Sequence, residues 1–209
     1  MRGALALTLF ALLSSLLPGC LSTDGGVHPG AIVAFGDSYT EGTGASRAEA
    51  YPALMTQALG RKVVNAGVNG ETAQEAFPRL ERDVLRHDPS LVIVEFGVNE
   101  AYRGYPVERA LAGLEAILQV LEAEGIPAIL VGVHFWDYQE NFDAGLRELG
   151  RQYGAPVVLD VLDGILDDPA LRSDPFHPNA AGYAIMETRI RPTVQGMLTV
   201  LEADAATAS

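Results

Sequence analysis

Cysteine is almost missing from this sequence, since Cys20 is the single one among 209 residues. An internal disulfide is therefore excluded, even in an oxidising compartment. Positive charge is also scarce: 14 Lys and Arg stand against 27 Asp and Glu, which leaves a net charge of -13. An acidic surface of this kind repels a phosphate backbone, so we expect no nucleic-acid partner.

Patterns that hold metals or nucleotides are missing as well. No set of His, Cys and carboxylate residues has the spacing of a zinc site, so we expect no catalytic metal. The segment Gly42-Thr-Gly44 is followed by Arg47 where a dinucleotide loop requires glycine, and there is no Gly-Lys-Ser/Thr phosphate loop. A nucleotide-binding module is therefore disfavoured.

The long apolar run of the chain lies at its amino terminus. After a basic start, residues 4–17 are almost entirely apolar, and Pro18-Gly19-Cys20 ends the run. The run is shorter than the roughly 20 apolar residues that span a bilayer, and its layout is that of a secretory signal. We therefore predict a signal peptide over residues 1–19, a short flexible tether over residues 20–29, and one folded domain over residues 30–209.

From Gly30 onward, short β-branched runs alternate with longer stretches of helical period. This alternation predicts right-handed crossovers and a parallel sheet covered on both faces. We expect an α/β fold, a three-layer α/β/α sandwich whose five parallel strands have the flavodoxin-like order 2-1-3-4-5. The predicted strands are Ala31–Phe35, Lys62–Asn65, Leu91–Phe96, Ile126–Val133 and Pro156–Leu159. The predicted helices are Tyr51–Leu59, Ala73–Arg86, Val107–Ala123, Phe142–Tyr153 and Ala180–Leu201, the last with a kink or early break at Pro192.

Polar and small residues follow the first three predicted strands, at the edge where open α/β sheets bind their ligands. Gly36-Asp-Ser38 follows the first strand, and Ser38 is a candidate nucleophile. The loop after the second strand offers the backbone N–H of Gly70, and the loop after the third offers the carboxamide of Asn99. These residue types also favour ordinary turns and helix N-caps, so each loop taken singly leaves that alternative open.

A histidine and an aspartate stand three residues apart near the carboxyl terminus, in the segment Asp174-Pro-Phe-His177. A serine hydroxyl needs a base to take its proton, and we assign that role to His177. Asp174 would fix the tautomer of the imidazole. The backbone N–H groups of Ser38 and Gly70 and the side chain of Asn99 would form an oxyanion hole. His134 follows the fourth strand and is an alternative base, but it has no aspartate at loop spacing.

In this combination and order, the four blocks resemble those of the SGNH hydrolases, also called the GDSL family. Gly36-Asp-Ser38, Gly70, Gly97-Val-Asn99 and Asp174-Pro-Phe-His177 match the serine, glycine, asparagine and histidine blocks. The segments Tyr51-Pro-Ala-Leu, Val63-Val-Asn-Ala-Gly and Asn69-Gly-Glu-Thr favour the bacterial periplasmic thioesterase, lysophospholipase and arylesterase branch. The resemblance implies a serine esterase that forms an acyl-enzyme on Ser38.

The resemblance also implies the substrates and the partners. They are small molecules: short- to medium-chain acyl esters, acyl thioesters or lysophospholipids. No metal or organic cofactor is implied, and we expect a monomer. The same triad could instead serve an O-acyltransferase or deacetylase that acts on envelope polysaccharide. A third interpretation is a tethered carbohydrate-binding protein without activity, but such a protein has little reason to keep Ser, Asp, His and Asn together.

Two segments depart from the family's pattern. Glu100 stands where the family's G-x-N-D block has aspartate, and His134-Phe-Trp-Asp-Tyr138 stands where the branch has an Arg-Pro pair. We expect the first change to reset the loop from Glu100 to Tyr105, and we expect His134–Tyr138 and Ala101–Tyr105 to line the acyl groove. Tyr102, Phe135 and Trp136 are the predicted lining of the acyl groove, although the aromatic residues after the fourth strand could equally belong to the core.

The end of the signal peptide, Leu17-Pro-Gly-Cys20, resembles a bacterial lipobox. The resemblance implies that Cys20 becomes the lipidated first residue of an exported protein in the periplasm or cell envelope. The membrane would then be contacted only through the lipid anchor at Cys20. Pro18 departs from the usual small or aliphatic residue, and an ordinary cleaved signal is the alternative.

Overall fold

The computed structural model describes residues 30–133 and 139–208. The predicted signal peptide and tether, with Cys20, lie outside these residues, and so does the segment from His134 to Tyr138. Within the described chain, five strands form one parallel sheet in the order β2-β1-β3-β4-β5. The predicted topology is confirmed. The strands are β1 (Ile32–Gly36), β2 (Val63–Gly67), β3 (Leu91–Glu95), β4 (Ala128–Val131) and β5 (Val157–Val158).

Helices connect the strands and cover the sheet. They are α1 (Ser38–Glu41), α2 (Tyr51–Leu59), α3 (Ala73–Ala76), α4 (Leu80–Asp83), α5 (Val98–Tyr102), α6 (Val107–Ala123), α7 (Gln139–Gln152) and α8 (Ala180–Ala208). No helix in the described part of the chain is long and apolar enough to span a bilayer.

Two of the helix predictions need correction, both at a proline. The predicted helix Ala73–Arg86 is instead α3 and α4, with a 3-10 turn at Phe77–Arg79 between them and another at Leu85–His87. Pro78 explains the first interruption, because it has no N–H to continue the helical hydrogen bonds. Of the kink or early break predicted at Pro192, the break does not occur, since α8 continues to Ala208. Val194 and Leu198 are buried beyond the proline, so tertiary packing holds the helix there.

The layers of the fold follow from the alternation of side chains along each strand. In β1, Val33 and Phe35 enter a cluster that also contains Leu114 of α6, whereas Ile32 enters a second cluster with Met186 of α8. The five residues of β1 are all buried. Because both faces of the strand are covered, its sequence is apolar throughout, as expected for a parallel sheet between two helix layers.

The strand register brings the ends of β1, β2 and β3 to one level. Gly36 pairs with Gly67 of β2 and with Glu95 of β3. The loops that follow these strands therefore begin side by side at one edge of the sheet. This edge receives the three polar segments that the sequence placed after the first three strands.

Gly36 is required at this edge because its neighbours leave no room for a side chain. A Cβ added to Gly36 would lie 2.2 Å from the Oγ1 atom of Thr40 and 2.7 Å from the Oε2 atom of Glu95. Those two atoms are themselves hydrogen bonded, since the Thr40 hydroxyl donates to Glu95 at 2.8 Å. The glycine therefore makes space for a contact beneath the turn that follows β1.

We expect Gly36→Ala to lower the free energy of unfolding by about 1–3 kcal/mol, the usual effect of overpacking a buried site. Gly196→Ala is the matched control, because Gly196 is exposed on α8 and an added Cβ would meet nothing within 4 Å. The control should gain up to about 1 kcal/mol, since alanine favours a helix interior. Urea unfolding of both variants measures the difference. Equal stability of the two variants would contradict the packing argument.

Candidate active site

Ser38 lies at the first position of α1, in a one-turn helix that follows β1 directly. Asp37 caps this turn, because its Oδ1 atom accepts a hydrogen bond of 3.1 Å from the N–H of Tyr39. The turn closes at Gly42, which has a left-handed φ of 96° and donates its N–H to the carbonyl of Ser38 at 3.0 Å. The sequence Gly-Asp-Ser therefore builds a tight strand-to-helix turn that presents the serine at the edge of the sheet.

The structure brings Ser38, His177 and Asp174 together. The Oγ atom of Ser38 lies 3.2 Å from the Nε2 atom of His177, although the two residues are 139 positions apart. The other ring nitrogen of His177, Nδ1, lies 2.9 Å from Oδ2 of Asp174 and 3.1 Å from Oδ1. A hydroxyl, an imidazole and a carboxylate thus form one hydrogen-bonded chain, the arrangement that activates a serine nucleophile.

The loop that carries Asp174 and His177 is held by the aspartate itself. Its Oδ1 atom accepts the backbone N–H groups of Phe176 at 2.7 Å and His177 at 2.9 Å. The base of the loop is closed where Arg172 and Pro178 pair as an antiparallel bridge. The three-residue spacing therefore serves two purposes, because one carboxylate shapes the loop and faces the imidazole.

A tyrosine joins this loop to the nucleophile turn. The hydroxyl of Tyr39 donates to the carbonyl of Phe176 at 2.7 Å, and the rings of Tyr39 and His177 lie 5.8 Å apart. Since Tyr39 follows Ser38 directly, this hydrogen bond holds the turn of Ser38 beside the loop of His177. The sequence reasoning missed Tyr39, and only its position beside Ser38 could have indicated it.

The ionisation of Asp174 suits this arrangement. Partial burial acts to raise the pKa of its carboxyl, but the hydrogen bonds from the His177 ring and from the Phe176 N–H outweigh burial and lower the pKa below its ordinary value. Asp174 therefore stays ionised beside the imidazole, where a negative charge stabilises the protonated ring.

Two backbone donors beside Ser38 have no acceptor. Among the described residues, no hydrogen bond is made by the N–H of Ser38 or by that of Gly70. Both residues line a cavity of about 340 Å³ that also exposes Asn99 and His177. Gly70 has a left-handed φ of 80°, and this backbone conformation favours glycine. Two unsatisfied donors next to a serine can receive a negatively charged oxygen.

Asn99 reaches the same cavity, but its amide nitrogen already has two acceptors. Nδ2 donates to Oδ2 of Asp37 at 2.9 Å and to the carbonyl of Glu71 at 2.9 Å. A carboxamide nitrogen carries two hydrogens, so both are engaged within the protein. Asn99 thus lies at the edge of the sheet where the sequence predicted it. Its Nδ2 atom is hydrogen bonded to the turn after β1 and to the loop after β2.

Arg79 holds the loop between β2 and α3 from below. Its guanidinium donates to the carbonyls of Ala66 at 2.7 Å and Gly36 at 3.2 Å, and to the Glu71 carboxylate at 2.7 Å. It is almost fully buried and lies over the ring of Phe35 at 4.5 Å. A single cation therefore ties the ends of β1 and β2 to the residue after Gly70.

Arg103 holds the same loop from the cavity side. It donates to the carbonyl of Gly70 at 2.6 Å and to Glu75 at 2.7 Å. The sequence reasoning did not predict that either arginine supports this loop, although Arg103 lies in the segment Ala101–Tyr105 that it expected beside the groove. The sequence signal for Arg79 was that a basic residue stands within a predicted helix that otherwise packs against the sheet.

Three carboxyl groups are buried at this edge of the sheet: Asp37, Glu95 and Glu100. Burial raises the pKa of Asp37 to about 7, and burial together with the nearby Asp37 carboxyl raises the pKa of Glu95 well above its ordinary value. These groups hold protons in the folded state at pH values where the unfolded chain has released them. Their contribution to stability therefore becomes less favourable as pH rises from about 4 towards 7.

Glu100, the residue that departs from the family's aspartate, reaches the start of α3. Its Oε1 atom accepts the N–H of Ala73 at 2.8 Å, and burial raises its pKa. The longer side chain thus connects the asparagine block to the end of the loop that holds Gly70. Among the described residues, no three His, Cys, Asp or Glu side chains are grouped so as to hold a metal ion.

Of the predicted groove residues, Tyr102 lines the cavity with 65% of its surface exposed. Phe135 and Trp136 lie outside the described residues. Phe176 lines the cavity instead, and its ring packs edge-on against Tyr102 with ring centres 5.9 Å apart. Sequence reasoning missed Phe176 as lining, although it stands between Asp174 and His177.

Comparison with known proteins shows the family to which the chain is similar. The GDSL-like lipase/acylhydrolase family model matches residues 34–185. The chain is 29% identical over 156 residues to thioesterase 1/protease 1/lysophospholipase L1 of Escherichia coli (strain K12), an alignment that covers 71% of this chain and 75% of the relative. It is 25% identical over 202 residues to esterase TesA of Pseudomonas aeruginosa, covering 88% and 98%.

Among solved structures, the SGNH-hydrolase family esterase AlinE4 is 31% identical, with a TM-score of 0.62 over 80% of this chain and 96% of that one. The family match covers well over half of the sequence and contains the serine, glycine, asparagine and histidine blocks. The chain therefore belongs to the GDSL-like lipase/acylhydrolase family, the SGNH hydrolases, and is a carboxylic ester hydrolase.

Proposed function

We propose that this hydrolase cleaves small carboxylic esters through an acyl-enzyme on Ser38. The observation that carries the proposal is the chain of contacts from Ser38 Oγ to His177 Nε2 at 3.2 Å and from His177 Nδ1 to Asp174 at 2.9 Å. It stands beside two backbone donors that have no acceptor in the described chain. A nucleophile, a base and oxyanion donors are the parts that acyl transfer needs.

The reaction follows from these roles. As Ser38 Oγ attacks the ester carbonyl, His177 Nε2 takes the hydroxyl proton, and Asp174 stabilises the imidazolium. The oxyanion that forms is held by the N–H groups of Ser38 and Gly70. When the intermediate collapses, His177 returns its proton to the leaving alcohol. A water molecule then attacks the acyl-enzyme with His177 again as base, and the acid and Ser38 are released.

Asn99 is the third oxyanion donor in this proposal. Its Nδ2 atom is bound to Asp37 and to the carbonyl of Glu71 before substrate arrives. A charged oxyanion is a stronger acceptor than a neutral carbonyl, so the hydrogen directed at Glu71 would be shared with the oxyanion or transferred to it. The bond to Asp37 keeps the carboxamide oriented while this happens.

For the substrate, we propose short- to medium-chain acyl esters, with acyl thioesters and lysophospholipids as related possibilities. The cavity of about 340 Å³ beside Ser38 is of a size for a small ligand, and its apolar wall includes Tyr102 and Phe176. The names of the relatives include thioesterase, lysophospholipase and esterase activities.

A fluorophosphonate probe should label the purified protein at Ser38, and p-nitrophenyl octanoate should be hydrolysed faster than the palmitate ester. Ser38→Ala should abolish both labelling and turnover, because no other group can form the acyl-enzyme. Ser173→Ala is the matched control, since within the described part of the chain the Ser173 hydroxyl is hydrogen bonded to the carbonyl of His177 alone. Absence of hydrolysis for acetate, octanoate and palmitate esters would favour the polysaccharide O-acyltransferase or a non-catalytic role.

Asn99→Ala should lower kcat by about 10²–10³-fold while KM changes little, the effect of removing one oxyanion donor. Asn69→Ala is the control at the same cavity, because Asn69 lines it but supplies none of the proposed donors. Steady-state kinetics with p-nitrophenyl octanoate separates kcat from KM. A rise in KM without a fall in kcat would assign Asn99 to substrate binding instead.

We also propose that the protein is exported to the periplasm or cell envelope and anchored there by a lipid on Cys20. The support is the apolar run of residues 4–17 followed by Leu17-Pro-Gly-Cys20. The tether of residues 20–29 would then link the anchor to the catalytic domain.

In cells that express the full chain, wild-type protein should sediment with membranes, and Cys20→Ser should move it to the soluble envelope fraction. The active-site variant Ser38→Ala is the control, because it leaves the signal unchanged and should stay with the membranes. Metabolic labelling with a radioactive fatty acid provides a second measurement. A Cys20→Ser protein that still sediments with membranes would exclude the lipid anchor.

A further inference from the structure

Glu95 lies directly beneath the nucleophile turn, at the end of β3, and is fully buried. Its Oε2 atom lies 2.8 Å from the hydroxyl of Thr40 and 3.4 Å from the backbone nitrogen of Asp37. These two contacts flank Ser38 in the sequence, one residue before it and two after it. The absence of a side chain at Gly36 makes room for them. The carboxyl group is therefore placed to hold the turn on which Ser38 stands.

The surroundings of Glu95 do not suit a carboxylate. Among the described residues, no cationic side chain forms an ion pair with it, and its Oε1 atom has no hydrogen-bond partner. An unpaired charge buried in this way is strongly unfavourable. Asp37 after β1, Tyr39 on α1, Tyr51 on α2 and Tyr183 on α8 are titratable groups close enough to interact with Glu95, and none of these four is a cation.

Asp37, in contrast, has donors for both oxygens. Tyr39 donates its N–H to Oδ1 at 3.1 Å, and Asn99 donates its amide to Oδ2 at 2.9 Å. Donors of this kind favour the ionised form. Two neighbouring buried carboxyls share one negative charge more easily than they carry two, so the hydrogen bonds place that charge on Asp37.

We propose that Glu95 is a positioning residue for the nucleophile turn and that it acts as a neutral carboxylic acid. The hydroxyl of Thr40 donates to Oε2 and lies 3.3 Å from the hydroxyl of Tyr51. An oxygen that accepts hydrogen bonds stays unprotonated more easily, so the proton of the neutral acid belongs on Oε1, which accepts none among the described residues. The inference rests on the proposed role of Ser38. A second negative charge beneath the turn would oppose the oxyanion that forms there, and the neutral acid avoids it.

The kinetic test compares two replacements of Glu95. Glu95→Leu removes the contacts to Thr40 and to the Asp37 backbone and should lower kcat roughly 100-fold with KM unchanged, because the nucleophile is misplaced. Glu95→Gln is neutral and keeps an acceptor for the Asp37 N–H, so it should recover most of that loss. If Glu95→Gln is as slow as Glu95→Leu, the neutral-acid proposal is wrong.

Thr40→Val provides the second kinetic variant in case Glu95→Leu does not fold. It keeps the shape of the side chain and removes the hydroxyl that contacts Oε2. A lower kcat with an unchanged KM supports the positioning role, whereas wild-type kinetics would overturn it. Circular dichroism and thermal unfolding show whether each variant is folded.

Infrared difference spectroscopy measures the protonation state directly. At neutral pH, Ser38→Ala protein should show the C=O band of a protonated carboxylic acid, and adding Glu95→Gln should remove intensity from it. Glu75→Gln is the control, because the Arg103 hydrogen bond lowers the pKa of Glu75 to about 2 and leaves it ionised. An unchanged band in the Glu95→Gln protein would overturn the proposal. Since the Ser38→Ala protein has no turnover, this result is independent of the proposed function.

Discussion

The parallel register of β1 with β2 and β3 is the constraint on which the site depends. Because Gly36 pairs with both Gly67 and Glu95, the three strands end together and their loops start within contact of one another. Because helices cover both faces of the sheet, the strands lack an alternation of polar and apolar residues. Such an alternation therefore cannot set the strand register here. A shift of one residue in β3 would exchange Glu95 for an apolar side chain under the nucleophile turn, so the register fixes the chemistry as well as the fold.

The histidine loop and the turn of Ser38 are far apart in the sequence, and fewer contacts join them than join the strands of the sheet. The histidine loop reaches the nucleophile turn through the His177 imidazole and through the Tyr39 hydroxyl on the Phe176 carbonyl. The loop keeps its own shape because Asp174 binds two of its N–H groups. These contacts, with the ring contact between Tyr102 and Phe176, orient a loop whose internal shape is already fixed, so residues far apart in sequence meet at hydrogen-bond distance.

Sequence reasoning predicted the sheet order from the alternation of strand and helix patterns. It predicted the segments around Ser38 from local patterns at the ends of the strands. An apolar strand that ends in Gly-Asp-Ser indicates its own turn, and Asp174 and His177 share one loop. Arg79 and Glu95 could not be assigned in this way, since their partners are backbone groups and side chains that only the folded sheet places beside them. The interruption of the helix that begins at Ala73 was missed for a simpler reason. Whether a proline interrupts a segment of helical period depends on what that segment packs against.

Buried acidic groups at the site orient other side chains, but their burial is energetically unfavourable. Asp37 orients Asn99 through a buried carboxyl group, yet a negative charge there would lie near the oxyanion of the proposed mechanism. Two features limit the conflict: the charge is bound by N–H donors, and the second buried carboxyl, Glu95, has the surroundings of a neutral acid. Preorganised donors require acceptors that hold them before the substrate arrives, and the strongest acceptors are charged. Buried acids with raised pKa values therefore lower the stability of this edge of the sheet, while they fix the orientation of the proposed oxyanion donor Asn99.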